Sequence, residues 1–460
     1  MKDNTFAAWR VMAVLALGAA GMLATGCAPQ QTQATAPGTV AGSGHVKFAV
    51  LSDLHFNPFL CANQAYTNLA GPPITAWAAT FAAYKAGASD GLDHPGQDSS
   101  YFLIRRTLSS LTNNCTNLAF VLCTGDYFAH QEQLENALHG DSERFLQYLN
   151  DATVRSNYLV NAEGMVAELL KEAGLTNVYP TLGNNDALGD YTEPSPALLG
   201  AFANAWGVCT PPGTLGQSFE AFGGFTAQPP GLTGCRIVAF DSSFFSGSDW
   251  HLQDPGSDPR RSQAALDWLT QTLAGGDQPA LLLFHIPPGL DYFQLLRDRT
   301  VPLWGDPWAG PFLDLVASNH NRLVGSFCSH THNDEFRLLY VGQQPVHYFH
   351  ISPSVSPVHG NSPAYQIFTA TPGGRMVDYS TYYLANFPGT NESWQREYAF
   401  SDFTGDGYDA KTLAGAFYTG EAAATNRNKF YLNYYAPALV SAEDSATFWQ
   451  AIKLDTTAGK

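Results

Sequence analysis

The chain has 460 residues, 45% of them hydrophobic but only 14% charged, against roughly 25% in ordinary globular proteins. Its 40 Asp and Glu outweigh 23 Lys and Arg, and the formal net charge of −17 excludes a basic face that would hold nucleic acid or an anionic membrane by charge. With 29 Phe, 21 Tyr and 9 Trp the chain can bury a large core, which excludes general disorder, and its length suits one large domain or two smaller ones.

Lys2 and Arg10 flank the start of an uncharged apolar run, residues 11–23, which is short for a bilayer span. The run ends in Leu23-Ala24-Thr25-Gly26-Cys27, which resembles a bacterial lipoprotein signal with Cys27 as the lipidated residue; an ordinary secretory signal is the alternative. Residues 1–27 are therefore expected to be an address. Residues 28–44, made of Gln, Thr, Ala, Pro and Gly without periodicity, read as a flexible tether. The expected product is exported and touches a membrane only through its anchored end. Six further cysteines follow, none with CxxC spacing. In an exported protein Cys209 with Cys235, and Cys61 with Cys115, are the expected disulfides, while Cys123 and Cys328 sit in strand-like runs as buried thiols.

From residue 45 onward, short apolar runs alternate with helix-period segments. Buried strands are expected at 46–52 (VKFAVLS), 118–124 (LAFVLCT), 178–182, 236–240 (RIVAF), 280–284 (ALLLF) and 323–327. Helices are expected at 99–112, 132–150, 158–173, 262–273 and 311–318. After Pro345 come three strand-like runs, VHYFHI, AYQIFTA and MVDYSTYYL, and the aromatic stretch 391–460 is helix-tinged. Strand–helix–strand repetition implies a layered α/β domain over 45–386, followed by a C-terminal subdomain over 387–460.

In such folds ligands collect beyond the carboxyl ends of strands. Those ends carry Asp53-Leu-His55, then Gly125-Asp126 with His130, then Gly183-Asn184-Asn185-Asp186, then His285, then Ser329-His330-Thr-His332. Any one motif has a plain explanation, as a helix cap or a packed histidine. Five strand ends that all deliver Asp, Asn or His exceed what packing requires, and these are donors for divalent metal. In D-x-H and H-x-H, alternate residues of extended backbone would face one side. Seven donors, with one carboxylate able to bridge, suffice for two ions about 3.5–4 Å apart, a pair suited to phosphoester hydrolysis.

The order D-x-H, G-D, G-N-x-D, H, H-x-H resembles that of the calcineurin-like metallophosphoesterases. More narrowly, SDLHFNP (52–58), GDYFAH (125–130), HIPPG (285–289), SHTHNDEF (329–336), SPSVSPVHGNSPAYQIF (352–368) and VDYSTYY (377–383) resemble the acid sphingomyelinase-like phosphodiesterases. The resemblance implies an α/β two-sheet sandwich flanked by helices, with the site at its edge and a small helical C-terminal subdomain. It assigns Asp53, His55 and His332 to one metal, Asn184, His285 and His330 to the other, and Asp126 to the bridge. Zinc is the expected metal, with manganese or iron also suited to these donors.

Two departures bear on catalysis. Where the family carries a histidine after Gly-Asn, this chain has Asn185, which can donate a hydrogen bond to a phosphoryl oxygen but no proton. His130, four residues past Asp126, is then the expected proton donor to the leaving oxygen. Ser329 replaces the Gly usual before H-x-H. Elsewhere, Asp98 reads as an N-cap, Asp334 and Glu335 as acceptors behind the ligands or as a solvated turn, and the calcium-loop-like start at Asp402 as a turn, because Leu413 stands where Glu is needed. Trp77, Trp250, Trp304 and Trp308 are expected in the core. The implied activity is hydrolysis of a small phosphodiester or a nucleotide-like phosphoanhydride. The alternatives are a polyphosphate or phosphomonoester hydrolase, and a metal-bound surface binding protein without turnover.

Overall fold

The computed structural model describes residues 44–60, 74–83, 95–138, 150–246, 258–387, 392–405, 407–433, 449 and 452–456. The signal-like segment, the tether, Cys61, Trp250 and Asp406 lie outside them. Thirteen strands are described: β1 (Val46–Leu51), β2 (Phe120–Cys123), β3 (Val178–Pro180), β4 (Phe225–Ala227), β5 (Arg236–Ala239), β6 (Ala280–Leu283), β7 (Leu323–Cys328), β8 (Glu335–Val341), β9 (Gln344–Ile351), β10 (Ala364–Ala370), β11 (Met376–Leu384), β12 (Trp394–Ala399) and β13 (Lys453–Asp455). They form two mixed sheets, ordered β12-β11-β10-β1-β2-β3 and β13-β8-β9-β7-β6-β5-β4. In the first, β1, β2 and β3 run parallel; in the second, β5, β6, β7 and β9 do.

The all-apolar runs foreseen from sequence are the parallel central strands, buried on both faces. The pleat of β1 sends Phe48 and Val50 to one side and Lys47, Ala49 and Leu51 to the other. Phe48 stacks on Phe120 at 4.7 Å and on Phe368 at 5.3 Å, and meets Phe327 of the second sheet edge-on at 5.7 Å. That contact is the seam of a sandwich. On the far side of the second sheet, Phe240 and Phe284 pack with Trp304 against Phe312 of a helix over Ala309–Asn319. Trp77 and Trp304 are buried and Trp308 is half-buried.

Helices begin where side-chain oxygens can take up free backbone N–H groups. Ser100 caps Tyr101–Asn114, Asp151 caps Ala152–Glu172, Ser195 caps Pro196–Trp206 and Asp258 caps Pro259–Ala274. Of the helix expected at 132–150, Gln131–Leu138 is described. The C-terminal stretch carries strands as well as helices: β12 extends one sheet and β13 the other. Among the described residues, no helix is long and apolar enough to cross a membrane.

The expected Cys209–Cys235 bridge is not formed; both are buried free thiols, as are Cys115, Cys123 and Cys328. Cys209 follows a helix while Cys235 immediately precedes β5, and each thiol is pushed up to about 12 by burial.

Candidate metal centre

The parallel strands of both sheets end on one rim, and their last residues converge there. β1 delivers Asp53 and His55, β2 Asp126, β3 Asn184, β6 His285, and β7 His330 and His332. All but His330 are almost wholly buried.

The pairs do not converge by the extended alternation expected of them. Asp53, His55, Asp126, His330 and His332 all have positive φ, at 45°, 41°, 56°, 76° and 63°. Non-glycine residues rarely enter this region, and such strain persists only where surroundings fix it. Cross-strand bonds do so here. Asp53 N–H donates to Gly125 O at 3.1 Å, His55 N–H to Asp126 O at 2.9 Å and Ser329 N–H to His285 O at 2.8 Å. The chain turns sharply at the ends of β1, β2 and β7 and aims those donors inward. The turns also need small neighbours: a side chain on Gly183 would collide with the Asp126 carboxylate.

Around Asp126 the donors close into overlapping groups: Asp53, His55 and Asp126; Asp126, His285 and His330; and His55, His130 and His332, with the ligand atoms of each group within 4.8 Å of one another. Asp126 Oδ2 lies 3.5 Å from His55 Nε2 and 3.2 Å from His285 Nε2, so a single oxygen faces both sides of the cluster. His332 Nε2 is 3.1 Å from His55 Nε2 and 3.5 Å from Asp53 Oδ1, while Asn184 Oδ1 is 3.0 Å from His285 Nε2. The sequence-expected donors are thus brought together, with Asp126 between the two sets.

The residues fit divalent metal. Nitrogens about 2.05 Å from a tetrahedral ion stand about 3.3 Å apart, close to the His55–His332 separation. Asp53 Oδ1 and His332 Nδ1 are buried without hydrogen-bond partners. His55 donates Nδ1–H to Phe128 O at 3.0 Å and His285 donates Nδ1–H to Thr124 O at 2.8 Å, which turns each Nε2 inward; burial disfavours charge on His285, but Asp126 raises it to about 9, and a bound cation would take the place of that proton. Burial drives His55 down to about 4 and His330 to about 3, leaving both neutral as ligands must be. Burial together with Asp126 lifts Asp53 to about 7. Two carboxylates crowded without solvent are a charge deficit that a cation relieves.

His130 stacks on His55 at a ring separation of 3.9 Å and lines the adjoining cavity of about 240 Å³ with Asp126, Asn185 and His359. Its partner corrects the expectation for Asp98. Ser100 caps the helix, whereas Asp98 accepts His130 N–H at 2.8 Å and lies 2.9 Å from His130 Nδ1. Burial disfavours charge on His130, but Asp98 overrides it and raises the imidazole to about 9. Asn185 is also placed differently from expectation. Its backbone N–H reaches Asp126 Oδ1 at 2.8 Å and its Nδ2 reaches Asp126 Oδ2 at 2.9 Å, so it clamps the central carboxylate.

Several residues named from the sequence have partners that the sequence did not indicate. Asp186 accepts four backbone N–H groups, from Asp126, Tyr127, Phe128 and Gly183, and ties the two loops together. Its place in Gly-Asn-Asn-Asp was a signal. Ser329 is more than a small residue, since its hydroxyl lies 2.9 Å from His285 Nδ1 and 3.2 Å from Thr124 O. Asp334 is no solvated turn: its Oδ2 accepts from Thr381 and Tyr398, both at 2.7 Å. Glu335 is likewise buried, 3.3 Å from Arg337.

A family model for calcineurin-like phosphoesterases matches residues 46–334. The chain belongs to that family. It is 25% identical over 319 residues to a sphingomyelinase phosphodiesterase D of Dictyostelium discoideum, covering 66% of this chain and 65% of that one. Human sphingomyelin phosphodiesterase is 26% identical over 335 residues, covering 67% of this chain but 47% of that one. Mouse acid sphingomyelinase-like phosphodiesterase 3b is 23% identical over 394 residues, covering 80% and 77%. The chain thus spans less than two thirds of the length of the first two relatives. Binuclear metal sites are typical of the family.

Proposed function

We propose that the protein is an exported dimetal phosphohydrolase that cleaves a small phosphodiester or a nucleotide-like phosphoanhydride. The observation that carries this reading is the position of Asp126 Oδ2, within 3.5 Å of imidazoles from both halves of the donor set. In this reading Asp53, His55 and His332 hold one ion, Asn184, His285 and His330 hold the other, and Asp126 bridges. Two bound divalent ions supply an activated water and neutralise charge on the phosphoryl oxygens. Zinc is the expected metal, with manganese or iron also suited to the donors.

The chain's own groups do the rest. Asn185 and Asp186 keep the Asp126 loop in its strained turn. His130, with Nδ1–H held by Asp98, carries its second proton on Nε2 and passes it to the leaving oxygen. Its side chain is 26% exposed, so a substrate can reach it. Export and lipidation at Cys27 rest on the N-terminal run and its cysteine.

The test is to purify the chain from residue 28 onward, measure bound metal, and assay bis-p-nitrophenyl phosphate, ATP, polyphosphate and sphingomyelin beside an Asp126→Ala control. Two bound ions and turnover of a diester are the expected result. Two ions without turnover on any substrate would favour a surface binding protein in which Asn185 has removed catalysis.

A further inference from the structure

The segment after Gly183 supplies more than one ligand. Asn184 Nδ2 donates to Asp190 Oδ1 at 2.7 Å, and Asn184 O accepts Tyr191 N–H at 3.0 Å, closing the loop on itself. The Tyr191 hydroxyl then lies 3.2 Å from His330 Nε2, with the two rings edge-on at 5.7 Å. Tyr191 has a φ of +58°, a conformation that a bulky residue keeps only when its surroundings dictate it.

Both contacts choose which atom a ligand shows. An amide can present its oxygen or its NH₂; because a carboxylate only accepts, Asp190 takes Nδ2 and turns Oδ1 away, to 3.0 Å from His285 Nε2. An imidazole binds metal through one nitrogen, and a partner on the other fixes its orientation. With Nε2 of His330 engaged by a hydroxyl, Nδ1 is the nitrogen left for a cation. The Asp53–His55–His332 side is braced by different groups: Ser52 donates to Asp53, and Phe128 O holds His55.

We infer that Asp190 and Tyr191 are positioning residues for the Asn184–His285–His330 metal position, and that they set its affinity separately from the other position. This rests on the two-metal reading above. The same loop delivers the ligand Asn184 and the two groups that orient that position.

The experiment uses the full chain, stripped of metal and titrated with zinc against a chromophoric chelator, with stoichiometry and affinity read for each equivalent. Tyr191→Phe and Asp190→Ala are each expected to weaken one of two equivalents by about 10–100-fold, the usual cost of losing such a partner. The other equivalent should keep its affinity. Asp53→Ala should weaken the opposite equivalent, and joining it to Tyr191→Phe should weaken both. Asp190 is exposed, so its replacement leaves the fold intact and gives a second variant should Tyr191→Phe misfold. Two equivalents with unchanged affinity in both variants, or equal weakening of both equivalents, would overturn the role of the loop while the dimetal reading stands. A wild-type chain that binds no divalent metal would sink that reading, and this inference with it.

Discussion

Two buried groups of histidines and carboxylates lie close together in this protein. One begins two residues after His332 and runs between the sheets. Tyr408 OH is 2.6 Å from His350 Nδ1, His350 Nε2 is 2.7 Å from Gln366 Oε1, and Gln366 Nε2 is 3.1 Å from Thr381 Oγ1; Thr381 and Tyr398 then donate to Asp334. Each of these bonds joins a donor to an acceptor, so His350 stays neutral, lowered to about 4 by burial. In the other group like faces like: Nε2 meets Nε2 between His55 and His332. Burial alone therefore marks neither a site nor a structural network. A site shows itself where acceptor atoms converge on one another, an arrangement that a cation relieves.

The sharpest way to break this contrast is Asp126→Ala. Loss of the bridging carboxylate should cut turnover of bis-p-nitrophenyl phosphate by ~10³-fold or more, because several kcal/mol of transition-state stabilisation pass through the metal pair. Metal content should fall with it. Turnover within tenfold of wild type would remove Asp126 from the centre of the mechanism.

Next in size is His130→Ala, expected to cost ~10²–10⁴-fold on alkyl esters, whose leaving groups need a proton. Nitrophenyl esters, which leave without one, should be nearly spared. Equal loss on both would show that His130 does something other than donate a proton.

Much of this was legible in the sequence because it depends on residue type and order. The strands β1, β2, β3, β6 and β7 announce themselves as apolar runs, and donors follow each run closely. Less legible was anything set by backbone turns. Neither a D-x-H nor an H-x-H string states that its residues take positive φ, and extended alternation was the natural but mistaken inference. Asp98 looked like a cap because it stands two residues ahead of Ser100, a shift too small for local sequence to resolve; its true partner, His130, is 32 residues away. Short strands such as β4 and β13, and β8 with its buried Glu335 and Arg337, owe their pairing to neighbours in the sheet rather than to periodicity. Cys209 and Cys235 were joined because they flank a Pro/Gly-rich excursion, which says nothing about where the thiols point.

A smaller change tests the dyad. His130 must be protonated to act, so activity on alkyl esters should persist below its raised value of about 9 and fall as pH rises through it. Asp98→Asn removes the charge that opposes burial. The basic limb of kcat/KM should then move down toward or below the ordinary histidine value of about 6.5, with nitrophenyl esters little affected. An unmoved limb would assign it to another group.

The smallest expected effect probes the hydrogen-bonded network around His350 and Asp334. Tyr398→Phe deletes a donor to Asp334 Oδ2 and leaves Thr381 donating to the same oxygen. Loss of the two buried hydrogen bonds of this hydroxyl, to Asp334 at 2.7 Å and with Tyr379 at 2.8 Å, should lower unfolding stability by ~1–3 kcal/mol, measured by urea denaturation. Metal stoichiometry and kcat on nitrophenyl esters should not change, since neither Tyr398 nor Thr381 lines the cavity beside the metal donors. Asp334 stands two residues past His332, however, and the chain between them is short enough to carry a shift. If Tyr398→Phe were instead to release one metal equivalent at unchanged fold, the two buried groups would be one mechanical unit. The C-terminal strand β12, which carries Tyr398, would then be part of what holds His332 in its strained turn.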